Sequence, residues 1–282
     1  VRSAGLLPYT NQYIGVPKVA YDLWQLGFWG MGPLLGLAAI VATAAMLARP
    51  RRLRAAEVIL LAWLVPFFSI TASFDVKFPR YLLPLYPVLL LGAAALLARR
   101  DAERGGGRRL ARRAVLGLSG AYLLAFLSIY TRPHTIVAAS KWFHANVAPG
   151  ATVLTQNWDE GFPFSFPDQP ADRFRSLELA FYELDGPEKT RLLAERLASG
   201  DVLVLQTKRL YGAITRAKDR FRDTDRLFRL LFAGDLGYVL ERTFSSPPRL
   251  FGVRLPSELA DESFSVYDHP KAIVFRNADR LT

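Results

Sequence analysis

The sequence predicts an α-helical multi-span membrane bundle of four spans, followed by a small extracytoplasmic α/β domain. The chain has 282 residues, of which 51% are hydrophobic, and four apolar stretches in its first half are long enough to cross a bilayer. Its net charge of +11 is concentrated in that half, because residues 1–130 carry 15 basic and 5 acidic side chains whereas residues 131–282 carry 21 and 20. We therefore predict a membrane domain over 1–130 and a soluble domain over 131–282.

The apolar stretches follow one another with short polar connections. They cover about residues 24–47, 55–74, 81–97 and 114–130. One such stretch is also compatible with a buried core helix, but four in succession, flanked by arginines or aromatic residues, indicate membrane spans. Glu57 is the one charged residue within them. An acid within a span can mark a functional site, but Glu57 lies three residues after Arg54 at the end of a span, so we predict that it reaches the membrane surface or pairs locally with Arg54.

The connecting loops orient the spans. Residues 48–54 hold four arginines and no acid, and residues 98–113 hold seven arginines and two acids, whereas residues 75–80 have a net charge of only +1. Basic residues accumulate in cytoplasmic loops. This rule places the two arginine-rich loops inside the cell, and residues 75–80 and 131–282 outside it. Since the predicted outer domain is nearly neutral, the charge of the chain does not indicate a nucleic-acid partner.

Beyond residue 130, helical patterns alternate with short apolar runs, which is typical of a layered α/β domain. Residues 157–175 are rich in Pro, Asp and Phe and predict a long loop. The predicted helices cover 135–146, 187–198, 208–214 and 220–232, and the predicted strands cover 151–155, 201–206, 238–244, 264–267 and 272–275.

The sequence excludes several kinds of catalytic site. It has no cysteine, and therefore no disulfide, thiolate metal site or cysteine nucleophile. It also lacks the common motifs of serine hydrolases, nucleotide-binding loops and zinc proteases. His134, His144 and His269 are scattered and predict structural or surface roles. The adjacent acids Asp159 and Glu160 are compatible with a metal or with sugar hydroxyls, but a solvated turn is the favoured interpretation.

The most informative stretch is Phe74–Pro87, which leads into the third predicted span. Lys77 and Arg80 lie there at the predicted outer surface, where two cations can hold the phosphate of a lipid. Pro84 and Pro87 weaken the first turns of the helix and can open a groove. On physical grounds alone, an ordinary role of the two cations as interfacial anchors is the favoured alternative.

The run Lys77–Pro87, with its Arg-Tyr-x-x-Pro motif, resembles the outer-loop and helix-start motif of bacterial GT-C glycosyltransferases. These are relatives of the protein O-mannosyltransferases and of the lipid A aminoarabinose transferase. Residues 8–15 and 263–271 are similar to segments of large bacterial members of this group. The resemblance therefore covers the whole chain as the C-terminal portion of such an enzyme.

The resemblance implies transfer of a hexose or pentose from a polyprenyl-phosphate carrier to an acceptor, on the extracytoplasmic face of a bacterial plasma membrane. Lys77, Arg80 and Tyr81 would bind the carrier phosphate. The catalytic carboxylate of the family lies in its first outer loop, which no segment here matches, so we expect it upstream of this chain and expect the chain alone to be inactive. Assistance by a divalent metal is compatible with the family, but the sequence shows no ligand set for one and no evident cofactor.

Two other classes of function remain as alternatives. The second interpretation is a non-enzymatic membrane protein whose extracytoplasmic domain binds a ligand or a partner. A transporter is disfavoured because the predicted spans lack intramembrane charges and paired broken segments. An upstream outer loop carrying an aspartate would favour the enzyme over both.

Overall fold

The computed structural model describes residues 8–98 and 107–280. Its helices are α1 (Lys18–Trp24), α2 (Pro33–Leu47), α3 (Ala55–Ser73), α4 (Tyr86–Ala98), α5 (Gly107–Leu127), α6 (Thr135–Asn146), α7 (Pro187–Ser199), α8 (Tyr211–Ile214), α9 (Arg222–Ala233) and α10 (Glu262–Ser265). Its strands are β1 (Thr152–Gln156), β2 (Arg175–Leu179), β3 (Val202–Leu205), β4 (Tyr238–Phe244), β5 (Arg249–Leu250), β6 (Val253–Arg254) and β7 (Ala272–Asn277).

The chain forms two compact units. The helical unit contains Val16–Ser128 and Pro248–Phe264, and the sheet unit contains the described residues up to Gly15 together with Ile129–Pro247 and 265–280. One junction, between residues 128 and 129, falls close to the predicted boundary at 130. The prediction of two continuous domains nevertheless differs from the structure, because residues 248–264 pack with the helical unit and residues 8–15 with the sheet unit.

Among the described residues, three helical stretches are long and apolar enough to cross a membrane. They are Ala55–Ser73, Pro79–Ala98 and Arg109–Asn146, the last of which includes α5 from its third residue onward. These stretches overlap the second, third and fourth predicted spans. The second arginine-rich loop falls largely on residues 99–106, outside the described residues.

The first predicted span, residues 24–47, is interrupted. Helix α1 passes into a π-helical segment, Gln25–Gly30, and the chain then turns at Gly32, whose φ is 82°. Glycine adopts this left-handed conformation without a steric penalty, and Pro33 starts the new helix at a position that needs no N–H donor. Helix α2 has 15 residues, fewer than the roughly 20 that span a bilayer. One continuous span over 24–47 is therefore not confirmed.

Small residues let the helices of the helical unit approach closely. The backbone of Gly27 occupies the place that a side chain of Gly36 would take, and Ala39 and Ala93 are fully buried in the shared core. At the start of α3, Glu57 accepts hydrogen bonds from the backbone N–H and the guanidinium of Arg54, at 3.0 and 3.1 Å. The predicted Arg54–Glu57 pair is confirmed.

The sheet unit is built on a five-stranded mixed sheet in the order β2-β1-β3-β7-β4. Strands β2, β1 and β3 are parallel, and β7 pairs antiparallel with β3 and β4. Successive residues of a strand point to opposite faces, so Val153 packs in the core that includes Phe143 of α6, while Leu154 packs in the core that includes Phe228 of α9. The predicted α/β class is confirmed for this part of the chain.

Most predicted elements are present, with shifted ends, but two predictions differ from the structure and three strands were not predicted. The strand expected over 264–267 is replaced by α10, because Asp261 accepts hydrogen bonds from the backbone N–H and hydroxyl of Ser263 and turns the chain. The edge strand β2 was not predicted, and neither was the hairpin of β5 and β6 in the helical unit, whose strands have two residues each, too few to show alternation. The helix expected over 208–214 is limited to α8.

Candidate functional site

The segment Phe74–Leu85 connects α3 to α4 and carries the predicted carrier-binding residues. Helix α3 ends at Ser73, and Pro79–Leu85 then form a 3-10 helix that leads into α4. Pro79 and Pro84 have no N–H to donate, which favours this irregular start. The carbonyl of Pro84 accepts a hydrogen bond from the Trp63 indole at 3.2 Å, which fixes the segment against α3.

Lys77 is buried, in contrast to the expected surface cation. Its ammonium lies 2.7 Å from a carboxylate oxygen of Asp22 on α1 and donates a second hydrogen bond to the carbonyl of Ala72 at 3.0 Å. The side chains of Lys77 and Asp22 are only 1% and 4% exposed. Burial raises the pKa of Asp22, whereas the hydrogen bond and the charge of Lys77 lower it. In this conformation Lys77 joins α1 to the loop and does not present its ammonium to a lipid phosphate.

Arg80, in contrast, is exposed. Its guanidinium carbon lies 4.1 Å from the centre of the Phe78 ring and 5.6 Å from that of Tyr81. Within residues 8–98 and 107–280, no carboxylate or carbonyl accepts a hydrogen bond from its side chain. The rings hold the cation by cation–π attraction, while its five N–H donors stay available to an anion. Arg80 is thus the cation of this segment whose N–H donors have no acceptor among the described residues.

Tyr81 lies at the edge of the same aromatic group. Its ring makes edge contacts with Phe78 and Phe74, with centroids 5.6 and 6.1 Å apart, and it is 36% exposed. Asp75, the acid of this loop, pairs with Lys18 at 2.8 Å. The hydrogen bond from Lys18 lowers the pKa of Asp75, so this carboxylate stays ionised and paired at neutral pH.

A second buried carboxylate, Asp261, lies against α1. It accepts a hydrogen bond from the phenol of Tyr21 at 2.5 Å, and its backbone N–H donates to the side-chain oxygen of Gln25 at 3.1 Å. Tyr21 and Asp22 are neighbours, so α1 carries one of these buried aspartates and contacts the other. Neither acid belongs to a motif that the sequence shows. The one available signal was that Asp22 is the single acid of α1, in a run of apolar and aromatic residues that follows Lys18, a pattern that marks a partnered or functional group.

The acids at Asp159 and Glu160 follow β1 in the sheet unit, and Asp159 is not in a solvated turn. Its side chain is 5% exposed and accepts hydrogen bonds from the amide of Gln156 and the hydroxyl of Thr207, with Arg209 at 3.9 Å. Burial raises the pKa of Asp159. These groups lie where β1 and β3 end, and the connections leave the two parallel strands toward opposite sides of the sheet, a place where α/β sheets commonly bind ligands.

The three histidines have local structural contacts. His134 accepts a hydrogen bond from the backbone N–H of Ile136 and caps α6, and His144 contacts the carbonyl of Phe164 at 2.9 Å. His269 is 3% exposed, and burial lowers its pKa to about 4, aided by Arg132, His134 and Lys208. Within the described part of the chain, no group of three His, Asp or Glu side chains is arranged to hold a metal ion.

The buried His269 makes the stability of the sheet unit depend on pH. The folded-state pKa of about 4 lies below the ordinary value of 6.5, so the unfolded chain binds more protons between these two values. Stability from this group is complete above pH 6.5 and falls as the pH drops toward 4, by about 3 kcal/mol. We expect His269→Gln to remove this part of the pH dependence in equilibrium unfolding followed by tryptophan fluorescence. An equal pH dependence in the variant and the parent would contradict the assignment to His269.

No protein-family model, curated protein or solved structure matches this chain.

Proposed function

We propose that the chain is part of an integral-membrane glycosyltransferase that uses a polyprenyl-phosphate-linked sugar as donor, with Arg80 binding the carrier phosphate. The observation that carries the proposal is the exposed guanidinium of Arg80, which lies over the Phe78 ring at the start of the apolar stretch Pro79–Ala98 and has no hydrogen-bond acceptor among the described residues. A carrier of this class has the matching chemistry, because its phosphate lies at the membrane surface while its isoprenoid chain lies among apolar helices. A planar guanidinium binds phosphate oxygens through paired N–H donors.

The other residues of the segment have different roles in this proposal. Tyr81 stays beside the phosphate, within the aromatic group that orients Arg80. Lys77 becomes a positioning residue, since its bond to Asp22 fixes the loop that carries Arg80. The transfer occurs on the extracytoplasmic face of a bacterial plasma membrane. Residues 75–80 are assigned to that face because the arginine-rich loops at 48–54 and 98–113 are assigned to the cytoplasmic face. The catalytic carboxylate is expected from a loop outside this chain.

Binding of a polyprenyl monophosphate to the protein in nanodiscs tests the role of Arg80. Charge-assisted hydrogen bonds contribute about 1.5–3 kcal/mol each, so we expect Arg80→Ala to weaken binding roughly 10- to 100-fold without lowering the melting temperature. Arg80→Lys keeps the positive charge but loses the paired N–H donors of the guanidinium. Its affinity for the monophosphate should lie between those of the parent and of Arg80→Ala. Arg52→Ala is the matched control, because Arg52 is an exposed arginine in the loop assigned to the opposite face.

The unphosphorylated polyprenol serves as the ligand control. It should bind the parent and the Arg80→Ala variant equally, since only the phosphate contacts Arg80. Unchanged binding of the monophosphate to Arg80→Ala would show that Arg80 is an interfacial anchor and would remove the support for a carrier-dependent transferase.

One observation favours the second candidate, a non-enzymatic membrane protein whose sheet unit binds a ligand. The polar group of Gln156, Asp159, Thr207 and Arg209 lies at the ends of β1 and β3, where the strand order changes direction. The side-chain oxygen of Gln156 is buried and has no hydrogen-bond partner among the residues described. This function would be preferred if the protein bound no polyprenyl phosphate.

A further inference from the structure

A short hairpin in the helical unit carries an exposed apolar tip. Strands β5 and β6 pair antiparallel, and the two residues between them, Phe251 and Gly252, both have positive φ, at 48° and 84°. Such a two-residue turn matches the twist of paired strands. Phe251 is 97% exposed and Val253 is 64% exposed, so the tip presents two large apolar side chains that the described residues leave uncovered.

The hairpin lies beside a membrane-length helix. Its base is fixed at the end of α5, where the backbone N–H of Arg249 donates to the hydroxyl of Ser128 at 3.0 Å. From there the hairpin follows α5 back toward the middle of the apolar stretch, because Leu250, Phe251 and Val253 line a cavity together with Leu118 and Tyr122. Leu118 lies nine residues before Leu127, a distance of roughly 13 Å along a helix. The tip therefore lies at the level of the apolar residues in the middle of α5.

The charges of the hairpin fit this position. Arg249 and Arg254 are opposite one another at its base, and both are exposed. Cations near the surface and apolar side chains below them are the distribution that an interfacial segment needs, because long basic side chains reach the lipid phosphates while their stems stay apolar. Irregular backbone is tolerated at membrane depth where it lies against protein, and here α5 supplies that contact.

The cavity between the hairpin and the helices is apolar. It measures about 520 Å³ and is lined by α2, α5 and the hairpin, and Ser119 and Tyr122 are the two lining side chains that carry a polar atom. The buried hydroxyl of Ser119 has no hydrogen-bond partner among the described residues. The hydroxyl of Tyr122 is already engaged, since it donates to the carbonyl of Trp29 at 2.8 Å. Such a surface takes up hydrocarbon in preference to water.

We propose that the hairpin Arg249–Arg254 is a membrane-inserted element, whose tip lies among the acyl chains of the leaflet at the Leu127 end of α5. Phe251 and Val253 contact lipid there, a lipid chain fills the cavity, and Arg249 and Arg254 bind the headgroup phosphates. This assignment is independent of glycosyl transfer and of which face of the membrane is outside. It rests on α5 crossing the bilayer.

Because the chain has no native cysteine, single cysteines report the position of the hairpin directly. We expect an environment-sensitive fluorophore on Phe251→Cys, in phosphatidylcholine vesicles, to emit at shorter wavelength than in water. Spin-labelled lipid should quench it at least several-fold more strongly than aqueous iodide does. Val253→Cys should behave in the same way.

Two control sites make either result decisive. Leu123→Cys, on α5 and 56% exposed, reports whether this helix lies in lipid, and Leu184→Cys, in the sheet unit and 60% exposed, is the site expected in water. If the label at 251 is quenched by iodide like that at 184 while the label at 123 is quenched by lipid, the hairpin is outside the bilayer and the proposal is wrong. If the label at 123 is not quenched by lipid, α5 does not cross the membrane and the proposal fails with it. Neither outcome depends on carrier binding by Arg80.

Discussion

Replacing Lys77 by alanine is expected to lower the free energy of unfolding of the helical unit by about 3–5 kcal/mol, the usual effect of breaking a buried ion pair from one side. The variant leaves the carboxylate of Asp22 buried without the ammonium 2.7 Å away. Thermal unfolding in detergent, followed by tryptophan fluorescence, measures the loss. Carrier binding should fall with stability, because the loop that holds Arg80 loses its attachment to α1.

Two further variants isolate the cause. Asp22→Leu combined with Lys77→Met removes both charges and should recover much of the stability, because a buried pair and an apolar pair of similar volume are close in free energy. Lys18→Ala breaks the exposed pair with Asp75 and should change stability little. A stable Lys77→Ala variant with reduced carrier binding would show instead that Lys77 contacts the phosphate itself.

Gly36→Ala is expected to destabilise the helical unit by about 3 kcal/mol, the upper range for forcing atoms into a packed interior. A methyl group at Gly36 would overlap the backbone of Gly27, which cannot move aside as a flexible side chain can. The close approach of these two backbones holds the π-helical segment 25–30 against α2. A lower melting temperature, with α1 opening first in hydrogen exchange, is the expected result.

Gly117→Ala is the matched control for this substitution. Gly117 is also a helical glycine, on α5, but a Cβ there would meet no atom within 4 Å. Alanine has the higher helix propensity by about 1 kcal/mol, so this variant should be neutral or slightly more stable. Equal effects at 36 and 117 would mean that helix propensity, and not the contact with Gly27, sets the outcome.

The different environments of Lys77 and Arg80 could not be predicted from the sequence. Lys77 and Arg80 are three residues apart, and both lie before an apolar stretch, so the sequence treats them as one pair of cations. The structure separates their roles, because Asp22, 55 residues before Lys77, takes up the ammonium of Lys77 and leaves Arg80 exposed. No local pattern links residues 22 and 77.

The sequence by itself determined the properties that depend on neighbouring residues. Length and hydropathy identify the apolar helices around α3, α4 and α5, and periodicity identifies α6, α7 and most strands of the sheet. The Arg54–Glu57 pair was predictable for the same reason, since its partners lie within one helical turn.

Only the tertiary structure decided what depends on contacts between distant residues. It interrupts the first predicted span at Gly32, packs Gly36 on Gly27, and buries Lys77 against Asp22. Residues 248–264, which the sequence assigns to the outer domain, pack in the structure with the helical unit, and Phe251 lies beside α5. The physical reason is that burial and pairing depend on which surfaces come into contact in the folded chain. A hairpin with strands of two residues is also too short for its sequence pattern to predict where it packs.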